Sequence, residues 1–171
     1  MKLNYWEDSI GTMLKKCIFG LIGAVVTLLA FFVNFRFASV TGTSMCSTLH
    51  DGESLIYQRT VKEYHYEDIV VFQAPDDRTG SHYIKRVIGL PGDTIEIIDN
   101  RVYRNGELLQ EDYIYEEMHG NADCSILVPD GTLYVMGDNR NNSNDSRMFG
   151  PVSINTVLGR AVLFDVPLKK E

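Results

Sequence analysis

The chain has 171 residues, 44% of them hydrophobic and 23% charged, which leaves room for one domain of ordinary size and gives no sign of disorder. Its formal net charge of −7 argues against a general nucleic-acid binder, which would carry a basic face. The three cysteines, Cys17, Cys46 and Cys124, are too few and too scattered for a disulfide framework, and a Cys46–Cys124 bridge has no supporting pattern.

From Cys17 to Val33 there is no charged residue, and continuing to Phe35 adds only Asn34 as a polar break. A helix over 17–35, rising about 1.5 Å per residue, spans close to the roughly 30 Å of hydrocarbon in a bilayer. A buried core helix shows a polar stripe, and this run has none. A cleaved signal peptide has a shorter apolar core followed by a small-residue site, to which Ala38-Ser39-Val40 is a poor match. The expectation is therefore a retained transmembrane anchor over 17–35, a cytoplasmic N-terminus over 1–16 and an outer domain over 36–171. Lys2, Lys15 and Lys16 precede the span, which orients a single-pass plasma-membrane protein with its N-terminus in the cytoplasm.

Beyond the anchor, short strand-like runs alternate with Gly, Pro, Asn and Asp. Strands are expected at Ser54–Arg59, Ile69–Gln73, Tyr83–Ile88, Thr94–Ile98, Arg101–Arg104, Leu108–Gln110, Thr132–Met136 and Leu158–Phe164. Asn105-Gly106 signals a two-residue hairpin turn, and Asp99-Asn100 a similar one just before it, which makes 94–110 a meander. No stretch outside the anchor shows helical apolar periodicity, so the outer domain reads as mainly β.

Three segments hold residues able to carry chemistry. Ser44 lies in a loop of small hydroxyl residues, Thr41-Gly42-Thr43-Ser44-Met45-Cys46-Ser47-Thr48, which by itself is equally a hydrogen-bonded turn. Eight residues separate it from Phe35, a tether of no more than roughly 30 Å, so a nucleophile there works at the bilayer surface. A serine needs a base, and His50, His65, His82 and His119 appear in no motif. Lys85 sits in the strand His82–Gly89, where period-2 geometry puts it on one face with Tyr83 and Val87. That placement fits a buried lysine whose amine is neutralised by desolvation, and equally one whose stem lies on apolar surface with its ammonium in water. The third segment, Gly137-Asp138-Asn139-Arg140 through Arg147, is by composition a polar loop. It fails as a calcium loop because Arg140 stands where an oxygen ligand is required.

Together these segments resemble the bacterial type I signal peptidases. The boxes stand in order after a single anchor: Ser44-Met45-Cys46-Ser47-Thr48-Leu49, Asp68-Ile69-Val70-Val71-Phe72, Lys85-Arg86-Val87-Ile88-Gly89-Leu90-Pro91-Gly92-Asp93, then Gly137-Asp138-Asn139-Arg140 with Ser143, Asp145, Ser146 and Arg147. The likeness covers roughly residues 13–165 and looks like the compact Gram-positive form. It implies an antiparallel β domain of the signal-peptidase and LexA-like kind behind one transmembrane helix, with no cofactor and no metal. It also implies a serine endopeptidase that removes signal peptides from exported preproteins after small residues, of the Ala-x-Ala type, beside a bilayer and near the secretion translocon.

By the same resemblance Ser44 is the nucleophile, Lys85 the general base, Ser143 the group that orients the lysine amine, and Asp145 with Arg147 an ion pair fixing the loop. The backbone N–H of Ser44 holds the oxyanion, and Val40, Met45, Leu49, Tyr83 and Ile84 wall the substrate pockets. Two departures stand out. Gly42 replaces a serine that some relatives add to the oxyanion site, and Ser47 replaces the usual proline, which is expected to loosen the loop. A self-cleaving repressor or mutagenesis protein shares the fold but is soluble. An inactive relative assisting surface-protein or pilus assembly is expected to lack the serine or the lysine, and both are present, whereas a specialised peptidase with few clients is compatible with Ser47 and stays open beside a housekeeping enzyme.

Overall fold

The structure, a computed structural model, describes residues 4–75 and 79–162, with side chains from Gly11 onward. Lys2, and Leu163 with Phe164 at the end of the last expected strand, lie outside the described residues. The chain divides into two compact units, Met1–Arg36 and Phe37–Glu171.

The first unit is one helix, α1 (Asn4–Asn34), whose 31 residues make it about 46 Å long. It starts well before the expected span, because the polar leader is also helical. Its 24-residue stretch Gly11–Asn34 has a mean hydropathy of 2.4, and none of its surface is buried. It is long and apolar enough to cross a membrane. Thr27 Oγ1 donates to Gly23 O at 2.9 Å and Asn34 Nδ2 to Ala30 O at 2.8 Å. Both polar side chains thus turn back on the helix's own carbonyls instead of presenting donors outward.

β1 (Phe35–Ser39), which runs from the end of the first unit into the second, begins at Phe35, which the expected span had included. There follow β2 (Ser54–Gln58), β3 (Ile69–Gln73), β4 (His82–Gly89), β5 (Thr94–Ile98), β6 (Arg101–Arg104) and β7 (Glu107–Leu108). The remainder is β8 (Cys124–Leu127), β9 (Thr132–Met136), the one-turn helix α2 (Ser146–Phe149), β10 (Val152–Ser153) and β11 (Val157–Val162). A seven-stranded sheet runs in the order β1-β2-β11-β3-β4-β9-β10, and a four-stranded sheet runs β7-β6-β5-β8.

Turn chemistry sets the register of the smaller sheet. Asn105 and Gly106 both have positive φ, 54° and 81°, so the turn twists with its strands and pairs Arg104 with Glu107. That pairing moves the following strand to Glu107–Leu108, ahead of the expected 108–110. Asp99 and Asn100 repeat the device and pair Ile98 with Arg101.

Apolar alternation explains the larger sheet. Ile69 and Val71 of β3 face a cluster with Val40, Met45, Leu49 and Leu55, whereas Val70 and Phe72 face Val87, Leu133, Val135 and Val152. With both faces covered, β3 is a continuous apolar run, and β4 beside it is buried from Lys85 onward. A third cluster, including Ile88 and Met136 with Ile95, Ile97 and Val128, joins the two sheets. All three cysteines are free.

Candidate active site

The loop carrying Ser44 is closed at its base, where Val40 N–H donates to Glu53 O at 2.8 Å and Gly52 N–H to Val40 O at 2.9 Å. Within it, Thr48 and Leu49 N–H both donate to Met45 O at 2.9 Å, making a single helical turn. Met45 and Leu49, four residues apart, share one face of that turn and sink into the apolar cluster beneath it. Ser44, next to Met45, is left half-buried at the surface. The Cys46–Ser47 peptide bond is cis.

Lys85 reaches this serine from β4, where it is paired with Val70 of β3. Its Nζ lies 2.7 Å from Ser44 Oγ and donates to Ile84 O at 3.0 Å. The residue is only 3% exposed, which decides between the two readings left open for it. Burial pulls its amine down from 10.5 to about 8, against the opposing charges of Asp145 and Asp138. A substantial fraction is therefore neutral near pH 8, and a neutral amine that close to a hydroxyl can take its proton.

The polar loop after β9 surrounds the pair. Asn139 N–H donates to Ser44 O at 3.0 Å, Asn139 Nδ2 to Thr43 O at 3.1 Å, and Asn142 Nδ2 to Thr43 Oγ1 at 2.9 Å. Gly137 must stay without a side chain, because a Cβ there would lie 2.5 Å from Ser44 O and 2.7 Å from Ser143 Cβ. Asp145 and Arg147 form a two-pronged ion pair, Nε to Oδ1 and Nη2 to Oδ2, both at 2.8 Å. Burial alone would raise the Asp145 carboxyl. The hydrogen bond and charge of Arg147, the Gly137 N–H and nearby Ser143 together hold it below the usual carboxylate range.

Ser143 is the residue expected to orient the lysine amine. Its Oγ is buried without a hydrogen bond of normal geometry, and the lysine amine takes Ser44 Oγ and Ile84 O instead. An extended backbone at Ser143 (φ −141°, ψ 128°) sets its side chain against Gly137. The oxyanion position has one ready donor, since Ser44 N–H donates to nothing among the described residues. Gly42, at φ +90°, has open space where a side chain would stand.

The five expected pocket residues do not gather on one surface. Val40, Met45 and Leu49 are 4%, 2% and 5% exposed and pack on one another, with Ile84 at their margin. Tyr83 packs instead against the opposite cluster, edge-on to Phe72 with ring centroids 6.2 Å apart.

Sequence reasoning also missed a clamp. Arg86, adjacent to Lys85, donates to both oxygens of Asp138, from Nε at 2.8 Å and from Nη2 at 2.6 Å. Thr48 of the nucleophile loop joins them, donating to Asp138 Oδ2 at 2.5 Å and accepting from Arg86 Nη2 at 3.0 Å. The clamp ties the lysine strand, the serine loop and the loop after β9 into one unit. The sequence shows only an Arg beside the candidate base and an Asp 52 positions away, which does not single out this pair. Among the described residues no His, Cys, Asp and Glu side chains gather as a metal site.

A half-buried serine in contact with a buried, easily neutralised lysine, on a mainly β scaffold, is the equipment of a peptidase. Comparison with known proteins agrees. The profile of the family described as signal peptidase, peptidase S26, matches residues 12–164, and the chain belongs to that family. It is 37% identical over 158 residues to a probable signal peptidase I-1 of Synechocystis, covering 85% of this chain and 80% of that protein. To a signal peptidase I of Bacillus licheniformis it is 40% identical over 139 residues, 74% of each chain. The crystal structure of a signal peptidase I from Enterococcus faecalis superposes with a TM-score of 0.51 at 35% identity, over 59% of this chain and 98% of that one.

Proposed function

We propose that this signal peptidase cleaves preproteins through a Ser44–Lys85 dyad, anchored in the plasma membrane by 17–35 with residues 1–16 in the cytoplasm and 36–171 outside. Removal of signal peptides from preproteins is the family's reaction, and the chain's substrates are preproteins that carry them. The observation that carries the dyad is the 2.7 Å approach of Lys85 Nζ to Ser44 Oγ.

Ser44 Oγ attacks the scissile carbonyl carbon while its proton passes to Lys85 Nζ. The tetrahedral oxyanion is held by the Ser44 N–H. Collapse breaks the peptide bond, the leaving amine takes the proton from Lys85, and an acyl-enzyme remains on Ser44. Lys85 then draws a proton from water, which attacks the ester carbonyl, and returns it to Ser44 Oγ as the ester bond breaks and the signal peptide leaves as a carboxylate. Ser143, carried over from the resemblance as the group that orients the amine, is buried in the same loop with no hydrogen bond of normal geometry. Asp145 and Arg147 keep that loop in register.

Cleavage after small residues is the expectation carried over from the family resemblance; Val40, Met45 and Leu49 are buried under the serine loop and support that loop from below. Orientation is supported by Lys15 and Lys16 ahead of the apolar stretch. The lipid bilayer and the nearby translocon follow as partners, since exported chains emerge there.

The test is cleavage of a precursor with an Ala-x-Ala site by the purified full chain in detergent, beside Ser44→Ala and Lys85→Ala. Both variants are expected to lose cleavage, and wild-type rates in either would refute the dyad.

A further inference from the structure

Between the hairpin β6–β7 and β8, residues 109–118 cross the site without regular secondary structure, and they touch all three elements that build it. Ser47 Oγ of the nucleophile loop donates to Tyr113 O at 2.7 Å. The Arg86 guanidinium of the lysine strand lies 4.0 Å from the centre of the Tyr113 ring. Tyr115 N–H donates to Asp138 O at 2.9 Å. Tyr113 Oη donates to Glu111 Oε1 at 2.8 Å, and the same carboxylate receives Arg140 Nη1 at 2.8 Å and Nη2 at 2.5 Å. Arg140 Nε in turn donates to Gly137 O at 3.0 Å, and Gly137 is the residue pressed against Ser44 O.

We infer that Tyr113 is a positioning residue for the Ser44–Lys85 pair, holding the nucleophile loop by its carbonyl and the Arg86–Asp138–Thr48 clamp by its ring. The inference rests on the dyad reading above. Two sides of the serine loop need holding. Thr43 and Ser44 are held by Asn139 and Asn142, while Ser47 and Thr48 are held by Tyr113 and the clamp. Without the second hold the turn that starts at Met45 has nothing polar to stop it rocking about its buried Met45–Leu49 face. Ser47, standing where a ring would stiffen the loop, supplies its hydroxyl to this hold instead. The ring also covers Arg86, whose charge an apolar neighbour would leave against a poorer surface. Rocking admits water to Lys85, and a hydrated amine moves back toward its ordinary 10.5.

The experiment measures kcat, KM and the pH dependence of kcat for the full chain in detergent, with Tyr113→Leu, Tyr113→Phe and Ser47→Ala. Tyr113→Leu is expected to lower kcat about tenfold with KM changed less than about twofold, since a misplacement well under 1 Å is enough for that. Its acid limb should also move to higher pH. Tyr113→Phe keeps the ring and carbonyl and should recover most of the lost kcat, and a Phe variant as slow as the Leu one would overturn the ring's role. If Tyr113→Leu does not fold, Ser47→Ala decides the matter: a kcat lowered about threefold with an acid limb moved upward supports the proposal, and wild-type values overturn it. Ser44→Ala and Lys85→Ala run alongside. If they are inactive while the Tyr113 and Ser47 variants match the wild type, the positioning role fails and the dyad stands. If they cleave normally, the dyad itself fails.

Discussion

Lys85→Met is expected to stabilise the fold at neutral pH while abolishing cleavage. Burial brings the amine from 10.5 to about 8. A gap of that size, at about 1.4 kcal/mol for each pH unit, amounts to roughly 3 kcal/mol of destabilisation while the lysine is charged. Methionine removes that cost but loses the contacts to Ser44 Oγ and Ile84 O, worth about 1 kcal/mol each. The net gain near pH 7 is therefore about 1 kcal/mol. The sign with pH is specific. Below about 8 both folded and unfolded chains hold the proton and the full cost is present. Between about 8 and 10.5 the unfolded chain binds more protons, so wild-type stability rises relative to the variant, and above 10.5 the wild type is the more stable. Urea unfolding of both full chains in micelles, followed by circular dichroism from about pH 6 to about pH 11, reads this directly. Tyrosine ionisation is common to both and cancels. A stability difference that stays flat across that range would refute the burial argument.

Cleavage itself should rise with pH through a limb centred near 8 as Lys85 gives up its proton, and single-turnover rates already maximal at about pH 6 would contradict a lysine base. Asp145→Asn removes the charge that most favours the protonated amine, so the limb should shift to lower pH in the same assay. Asp138→Ala leaves Arg86 buried without its partner and should cost about 3–5 kcal/mol by urea unfolding. Gly137→Ala forces a methyl to within 2.5 Å of Ser44 O, so kcat in the precursor assay should fall about a hundredfold with a smaller change in KM.

The parts of this fold legible in the sequence are those set by local chemistry. Asn105-Gly106 and Asp99-Asn100 can hardly be anything but hairpin turns, and the strands that flank Asp99-Asn100 are long enough to alternate. β10, two residues long, has no alternation to detect, and exposed Cys124, Ser125 and Leu127 of β8 carry little of the apolar signal that marks a strand. β1 was not expected as a strand: its first residue, Phe35, reads as the end of the apolar run, and the four that follow are too few to show alternation. At the site, Lys85 was visible through its apolar neighbours, whereas its burial depends on which strands cover it. The Arg86–Asp138 clamp spans 52 positions and the Ser47–Tyr113 contact 66, and no local pattern announces either. Residues 111–118 gave no strand or helix signal, because their hydrogen bonds, such as Tyr115 N–H to Asp138 O, run to distant loops.

The pairing of β4 has a consequence in time. On one side β4 meets β3, which precedes it directly, but its other neighbour is β9, which begins at Thr132. Thr43 likewise waits for Asn142, 99 positions later. As the chain is made from its N-terminus, Ser44 and Lys85 are in place long before β9 and the loop that follows it. Until β9 docks, Lys85 keeps its proton and Ser44 is an ordinary hydroxyl. On the proposed dyad, the order of synthesis works as a safety catch, keeping Ser44 and Lys85 inert until folding is nearly complete.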